Sequence, residues 1–155
     1  KLAVEKYGSQ SIVGSIDVKK NENKEFEIFS HSNKKNTKCF DEFIDYVISL
    51  GVGELFITSV DQEGTWNGFD EDLIDKIIEK VNIPFIVNGG CGKVSDLRNI
   101  LKKRGVQAAA VGSMAVFQKK GMGVLIRFPK REQVIKVENY YGSWKKVFKI
   151  DEYDI

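Results

Sequence analysis

Apolar positions along the chain alternate between two rhythms. Ser11–Val18 (SIVGSIDV) is a β-branched run closing on charged residues, the pattern of a buried strand. Glu25–Ser30 (EFEIFS) alternates polar and apolar, as a half-exposed strand does. Together with Lys19–Lys24 it predicts a hairpin turned by Asn21 and Asn23. From Thr37 the period becomes helical: Phe40, Phe43, Ile44, Val47 and Ile48 share one face, and Gly51 ends the run. Gly53–Val60 (GELFITSV) predicts the next strand, and Asp70–Val81 a helix with Leu73, Ile74, Ile77 and Ile78 inward. Pro84 precedes a strand at Phe85–Val87. Val94–Arg104 predicts a helix burying Val94, Leu97, Ile100 and Leu101, closed by Gly105. Gln107–Val111 is a last strand of small residues, followed by a helical turn at Met114–Phe117.

Four strands, the first three each followed by a helix, imply a parallel sheet with right-handed crossovers. Beyond Pro129 the pattern weakens. Lys130–Val137 suits a terminal helix, and Asn139–Ile150 (NYYGSWKKVFKI) suits a hairpin or a loosely packed tail equally well. The expected organisation is one domain, with its body at 1–129 and its tail at 130–155.

Composition narrows the classes. With 155 residues, 42% hydrophobic and 30% charged, the chain can build one ordinary core. A net charge of +2 gives no polybasic signal, so neither nucleic acid nor a membrane surface is an expected partner. No apolar run approaches the ~20 residues that cross a bilayer. The chain starts at Lys1 without a Met and carries neither a signal nor a transit pattern, as expected of a fragment or a processed product. Cys39 and Cys91 lie in unlike contexts and His31 is the single histidine, so zinc sites and Ser-His-Asp triads lack their residues. No metal or cofactor is expected, and a reducing cytoplasm is the default compartment.

Parallel α/β folds gather their chemistry at the C-terminal ends of strands. The first strand delivers Asp17, followed by Lys19 and Lys20: a carboxylate among cations can do general acid–base work, though composition alone favours a structural ion pair or loop cap. The second delivers Thr58 and Ser59, then Asp61, Glu63, Gly64 and Thr65, which suit either a polyol-holding loop or a solvated turn. The third delivers Asn88-Gly89-Gly90-Cys91-Gly92 before a helix whose N-terminal N–H groups favour a phosphate. The last delivers Gly112-Ser113. Paired glycine-bearing ends on the last two strands are where barrels place a phosphate. Cys91 suits a small buried filler of its loop better than a reactive thiol. His31 suits an exposed surface position, and Lys34-Lys35 a solvated patch as well as a guide for an anion.

SIDVKK (Ser15–Lys20), SNKKNT (Ser32–Thr37), GVGELFITSVDQEGTWNGFD (Gly51–Asp70), IPFIVNGGCGKVSDL (Ile83–Leu97) and AAAVGSMAVF (Ala108–Phe117) occur in order. Together they resemble the second half of the cyclase subunit of imidazole glycerol phosphate synthase. The resemblance implies the C-terminal half of a (β/α)₈ TIM barrel: four parallel strands with alternating helices and a small β-hairpin after the first strand. It implies a lyase of histidine biosynthesis that takes ammonia from a glutaminase partner. The substrate it implies is a phosphorylated small molecule, a phosphoribulosyl aminoimidazole carboxamide nucleotide.

By the same resemblance, Asp17 matches the catalytic carboxylate, and Ser32 and Thr37 match the substrate-facing hairpin and its exit. Thr58, Glu63 and Asn88 match substrate-binding positions, although the family usually has Asp at 63 and Ser at 88. Gly89, Gly90, Cys91, Gly112 and Ser113 match the phosphate loops, and Glu54 matches the ammonia gate. A full barrel needs ~250 residues. The first catalytic carboxylate belongs to the missing half, so this chain alone is expected to be inactive. The ending Ser113–Pro129 is closer to related barrels encoded with surface-sugar loci, which are associated with sugar amidation; that is the alternative activity. A non-catalytic phosphate-binding half barrel, self-associating through open sheet edges, is another.

Overall fold

The computed structural model describes residues 1–118, 120–130 and 133, with the side chains of 35–37 not included. A short helix α1 (Leu2–Tyr7) and a single 3₁₀ turn at Ser9–Ser11 lead into β1 (Val13–Lys20). Then come β2 (Phe26–Ser30), β3 (Lys35–Cys39), α2 (Phe40–Ser49), β4 (Glu54–Ser59) and α3 (Glu71–Lys80). The order ends with β5 (Phe85–Asn88), α4 (Val94–Leu101), β6 (Ala108–Ala109) and α5 (Ser113–Val116). The sheet has six strands in the order β3-β2-β1-β4-β5-β6. β1, β4, β5 and β6 run parallel, and β2 and β3 extend the β1 side antiparallel. This is the expected half-barrel arrangement with its hairpin.

Side chains alternate across the parallel strands. One set, Ile16, Val18, Leu55, Ile57, Phe85 and Val87, is buried in a single core with Phe40, Ile44 and Val47 of α2, Leu73, Ile74 and Ile77 of α3, and Ile100 of α4. The helical periodicity in the sequence selected these inward residues, and burial of each supplies ~1.5–3 kcal/mol. The opposite set forms an uncovered face in three rows fixed by register. Val13 pairs with Glu54; Ser15 with Phe56, Ile86 and Ala108; Asp17 with Thr58 and Asn88.

Three expectations need correction. Thr37 does not open a helix: it lies inside β3, and α2 starts at Phe40. Lys35–Cys39 contains too few apolar residues to show a strand period, and pairing with β2 decides its conformation. Ser11 and Ile12 precede β1 rather than beginning it, because the 3₁₀ turn with Gly8 at φ +81 occupies that stretch. The helix expected to reach Arg104 stops at Leu101, four residues before Gly105 takes φ +100. The hairpin turn is as expected: the Asn21 side chain accepts from the backbone of Asn23 and Glu25, both at 2.9 Å. Of the expected C-terminal helix and tail, only Lys130 and Gln133 lie among the described residues.

Candidate active site

The polar row of the uncovered face sits at the C-terminal ends of the parallel strands. Asn88 donates through Nδ2 to Thr58 Oγ1 at 3.3 Å and to Glu63 Oε2 at 3.4 Å. This joins β5, β4 and the loop after β4. Beside the row lies an open hollow of about 220 Å³, lined by Glu63, Gly64, Trp66, Asn88, Gly89, Gly90, Cys91, Ala110, Gly112 and Ser113. Eight of the residues singled out in the sequence therefore meet in one place, and Asp17 and Thr58 adjoin them in register. Ser32 lies apart in the exposed hairpin turn, its hydroxyl 3.0 Å from that of Ser30. The Thr37 side chain is outside the described residues. Glu54 stands at the other end of the sheet, opposite Val13.

The hollow is shaped by backbone held tightly between two loops. Gly68 N–H donates to Gly90 O at 2.8 Å. Gly90 itself has φ +93, and any Cβ there would strike the Gly68 carbonyl oxygen. Thr65 Oγ1 donates to Gln62 O at 2.8 Å and closes the turn that carries Glu63. Asp70 caps α3 by accepting from Leu73 N–H at 3.1 Å and also accepts from the buried Ser59 hydroxyl at 3.2 Å.

Two N–H groups just ahead of α4 are already engaged: Gly92 N–H and Lys93 N–H both donate to Asp96 Oδ2 at 3.1 Å. The carboxylate already satisfies these donors. The two lysines after Asp17 also part company. Lys19 lies over the Phe29 ring at 5.2 Å. Lys20 turns to the helix side, 3.2 Å from Asp72 and 3.7 Å from Asp70.

Sequence reasoning placed His31 on the surface. It is exposed, but its Nε2 lies 3.3 Å from Asp17 Oδ2. The available signal was the hairpin, which folds the residues after β2 back beside the end of β1. Trp66, in the left-handed region at φ +67, was also passed over as a lining residue.

Cys91 is buried, and its thiol lies 3.7 Å from both Lys93 O and Met114 Sδ. Burial first, and the Asp96 carboxylate second, push the thiol from 9.0 up to about 11. A thiol held neutral in this way stabilises the fold below pH 9.0, and the contribution is lost as pH rises through about 11. Wild type should therefore lose stability over that interval more steeply than Cys91→Ala in chemical denaturation; parallel curves would refute the assignment. Near neutral pH, alkylation should label the exposed Cys39 and spare Cys91.

Among the described residues, no group of three or more His, Cys, Asp and Glu side chains is placed to hold a metal ion, and no helix is long and apolar enough to cross a membrane.

A family model described as histidine biosynthesis protein matches residues 1–121. The imidazole glycerol phosphate synthase subunit HisF of Pelodictyon phaeoclathratiforme is 40% identical over 116 residues, covering 74% of this chain and 45% of the relative. A Pseudomonas aeruginosa protein provisionally named as subunit hisF2 of the same enzyme is 38% identical over 126 residues, covering 81% and 50%. The HisF subunit of a Clostridium botulinum strain (657, type Ba4) is 35% identical over 134 residues, covering 85% and 53%. The chain spans about half the length of the curated relatives it matches.

Proposed function

The chain belongs to the histidine biosynthesis protein family, and from that premise we propose that it supplies the phosphate-holding half of an imidazole glycerol phosphate synthase cyclase. The observation that carries this reading is the shared edge: the Asp17–Thr58–Asn88 row and both glycine-bearing loops stand at the same ends of the parallel strands.

In this reading, the backbone of Gly89–Cys91 and Gly112–Ser113 holds one phosphate of a phosphoribulosyl aminoimidazole carboxamide nucleotide. Binding energy from that remote group orients the reacting carbon and nitrogen atoms near Asp17. Asp17 acts as one of two carboxylates, with its counterpart on the family's first barrel strand. Carboxylates whose surroundings separate their pKa values can serve as acid and base in turn. One protonates the departing nitrogen while the other takes the proton released on ring closure. Thr58, Asn88 and Glu63 hold the polyol chain by hydrogen bonds, with Ser32 and Thr37 approaching from the hairpin.

Ammonia would come from a glutaminase partner at the opposite end, past Glu54. The middle row, Phe56, Ile86 and Ala108 with Ser15, separates that gate from the polar row by a mostly apolar layer. An apolar passage favours neutral ammonia over ammonium, because burying a charge is far costlier than burying a neutral amine.

The test is direct: the protein, as encoded by its complete reading frame, is given the nucleotide with an ammonium salt. Imidazole glycerol phosphate and aminoimidazole carboxamide ribotide should appear in equal amounts by mass spectrometry. Protein that is folded, binds phosphate, and yields neither product would sink the reading.

A further inference from the structure

The hairpin formed by β2 and β3 brings a second titratable group to the reacting end of β1. The register pairs Val18 with Ile28, both buried, so the neighbouring Asp17 and Phe29 point to the uncovered face. Two residues beyond Phe29, the imidazole of His31 reaches back until Nε2 is 3.3 Å from Asp17 Oδ2. The ring does not hang loose. It stands edge-on to Phe29, with centroids 5.0 Å apart and planes at 87°, and Phe29 is in turn covered by Lys19 Nζ at 5.2 Å. A stack of three side chains thus sets where the imidazole points.

We propose that His31 is a positioning residue for Asp17, engaging Oδ2 through Nε2–H and presenting Oδ1 to the reacting atoms. The proposal rests on the cyclase reading for what Asp17 does, and on this chain's own geometry for what His31 does. A carboxylate flanked only by solvent samples many rotations about its Cβ–Cγ bond. One fixed oxygen restricts the other to a single direction, and acid–base efficiency depends on that direction. At 3.3 Å the pair is looser than a charge-assisted hydrogen bond, as expected of groups that tighten only around substrate. The hairpin is then part of the reacting end rather than an ornament on the sheet.

Two measurements test this. In the complete protein, His31→Ala should lower kcat for ammonia-dependent turnover by about 10–100-fold with KM nearly unchanged. His31→Gln, whose Nε2 lies at a similar reach, should recover most of the loss. A kcat unaffected by His31→Ala, or a loss confined to KM, would overturn the proposal. The second measurement does not need turnover. His31 is the single histidine of this chain, so selective labelling of histidine and sequence assignment give its ring resonances in an NMR spectrum. They should move on Asp17→Asn and stay in place on Asp61→Asn; indifference to Asp17→Asn overturns the pairing. Wild-type protein without cyclase turnover would overturn the cyclase reading and the catalytic part of this proposal together. A persisting NMR response would then leave only the His31–Asp17 contact, so the two failures remain separable.

Discussion

Asp17→Asn should reduce ammonia-dependent turnover in the complete protein by about 10³-fold, with KM changed less than about twofold. The substitution keeps the shape and polarity of the side chain and removes its negative charge and its capacity to accept and return a proton. Asp17 is half-buried on the uncovered face, outside the hydrophobic core, so folding should be nearly untouched, within about 0.5 kcal/mol by denaturation. Its backbone partners, Thr58 across the parallel ladder and then Asn88, stay in register. A large fall in kcat without a fall in stability is therefore the signature of lost proton transfer. Turnover within about tenfold of wild type, short of the range general acid–base catalysis contributes, would remove Asp17 from the reacting pair. In that case Glu63, the carboxylate that accepts from Asn88, would become the first residue to replace.

The second large effect is expected at Gly90. Its φ of +93 lies in a region that side chains seldom adopt, and a Cβ would collide with the Gly68 carbonyl oxygen and press on Gln62 Cβ at 3.0 Å. The obstacle is backbone, so it cannot rotate aside. The Gly68 N–H to Gly90 O bond joins the two loops at this point. Gly90→Ala should cost about 2–4 kcal/mol by denaturation and abolish measurable phosphate binding by calorimetry. Gly112→Ala is the internal contrast. Its φ is −115 and the nearest atom to a new Cβ is Glu63 Oε1 at 4.0 Å, so it should cost less than about 1 kcal/mol. Equal stability losses in the two variants would show that the Gly68–Gly90 approach does not shape the loop.

The parallel strands and the inner faces of α2, α3 and α4 were legible because local pattern and tertiary burial agree there. Ile74 and Ile77, for instance, repeat at helical spacing and both are buried. The glycine loops were legible because residue type states the backbone requirement directly. Three things were not. β3 is a polar stretch whose strand conformation comes from its neighbour, so Thr37 looked like a helix start. Asp96 was passed over although it takes two N–H groups at the start of α4; an acidic residue in a first turn is too common to announce which donors it satisfies. The approach of His31 to Asp17 spans fourteen positions and depends on the hairpin's length and twist. No local pattern encodes such a distance.

The polar row lies on the side of the sheet turned away from α2, α3 and α4. Its charges are therefore damped by bulk solvent, whose permittivity is about 80, where the margin of a protein behaves more like about 20. Anything apolar laid across Phe56 and Ile86 would strengthen each attraction along the row roughly fourfold without moving an atom of it. Reactivity at this edge is thus set jointly by the residues that form it and by whatever excludes water from above them.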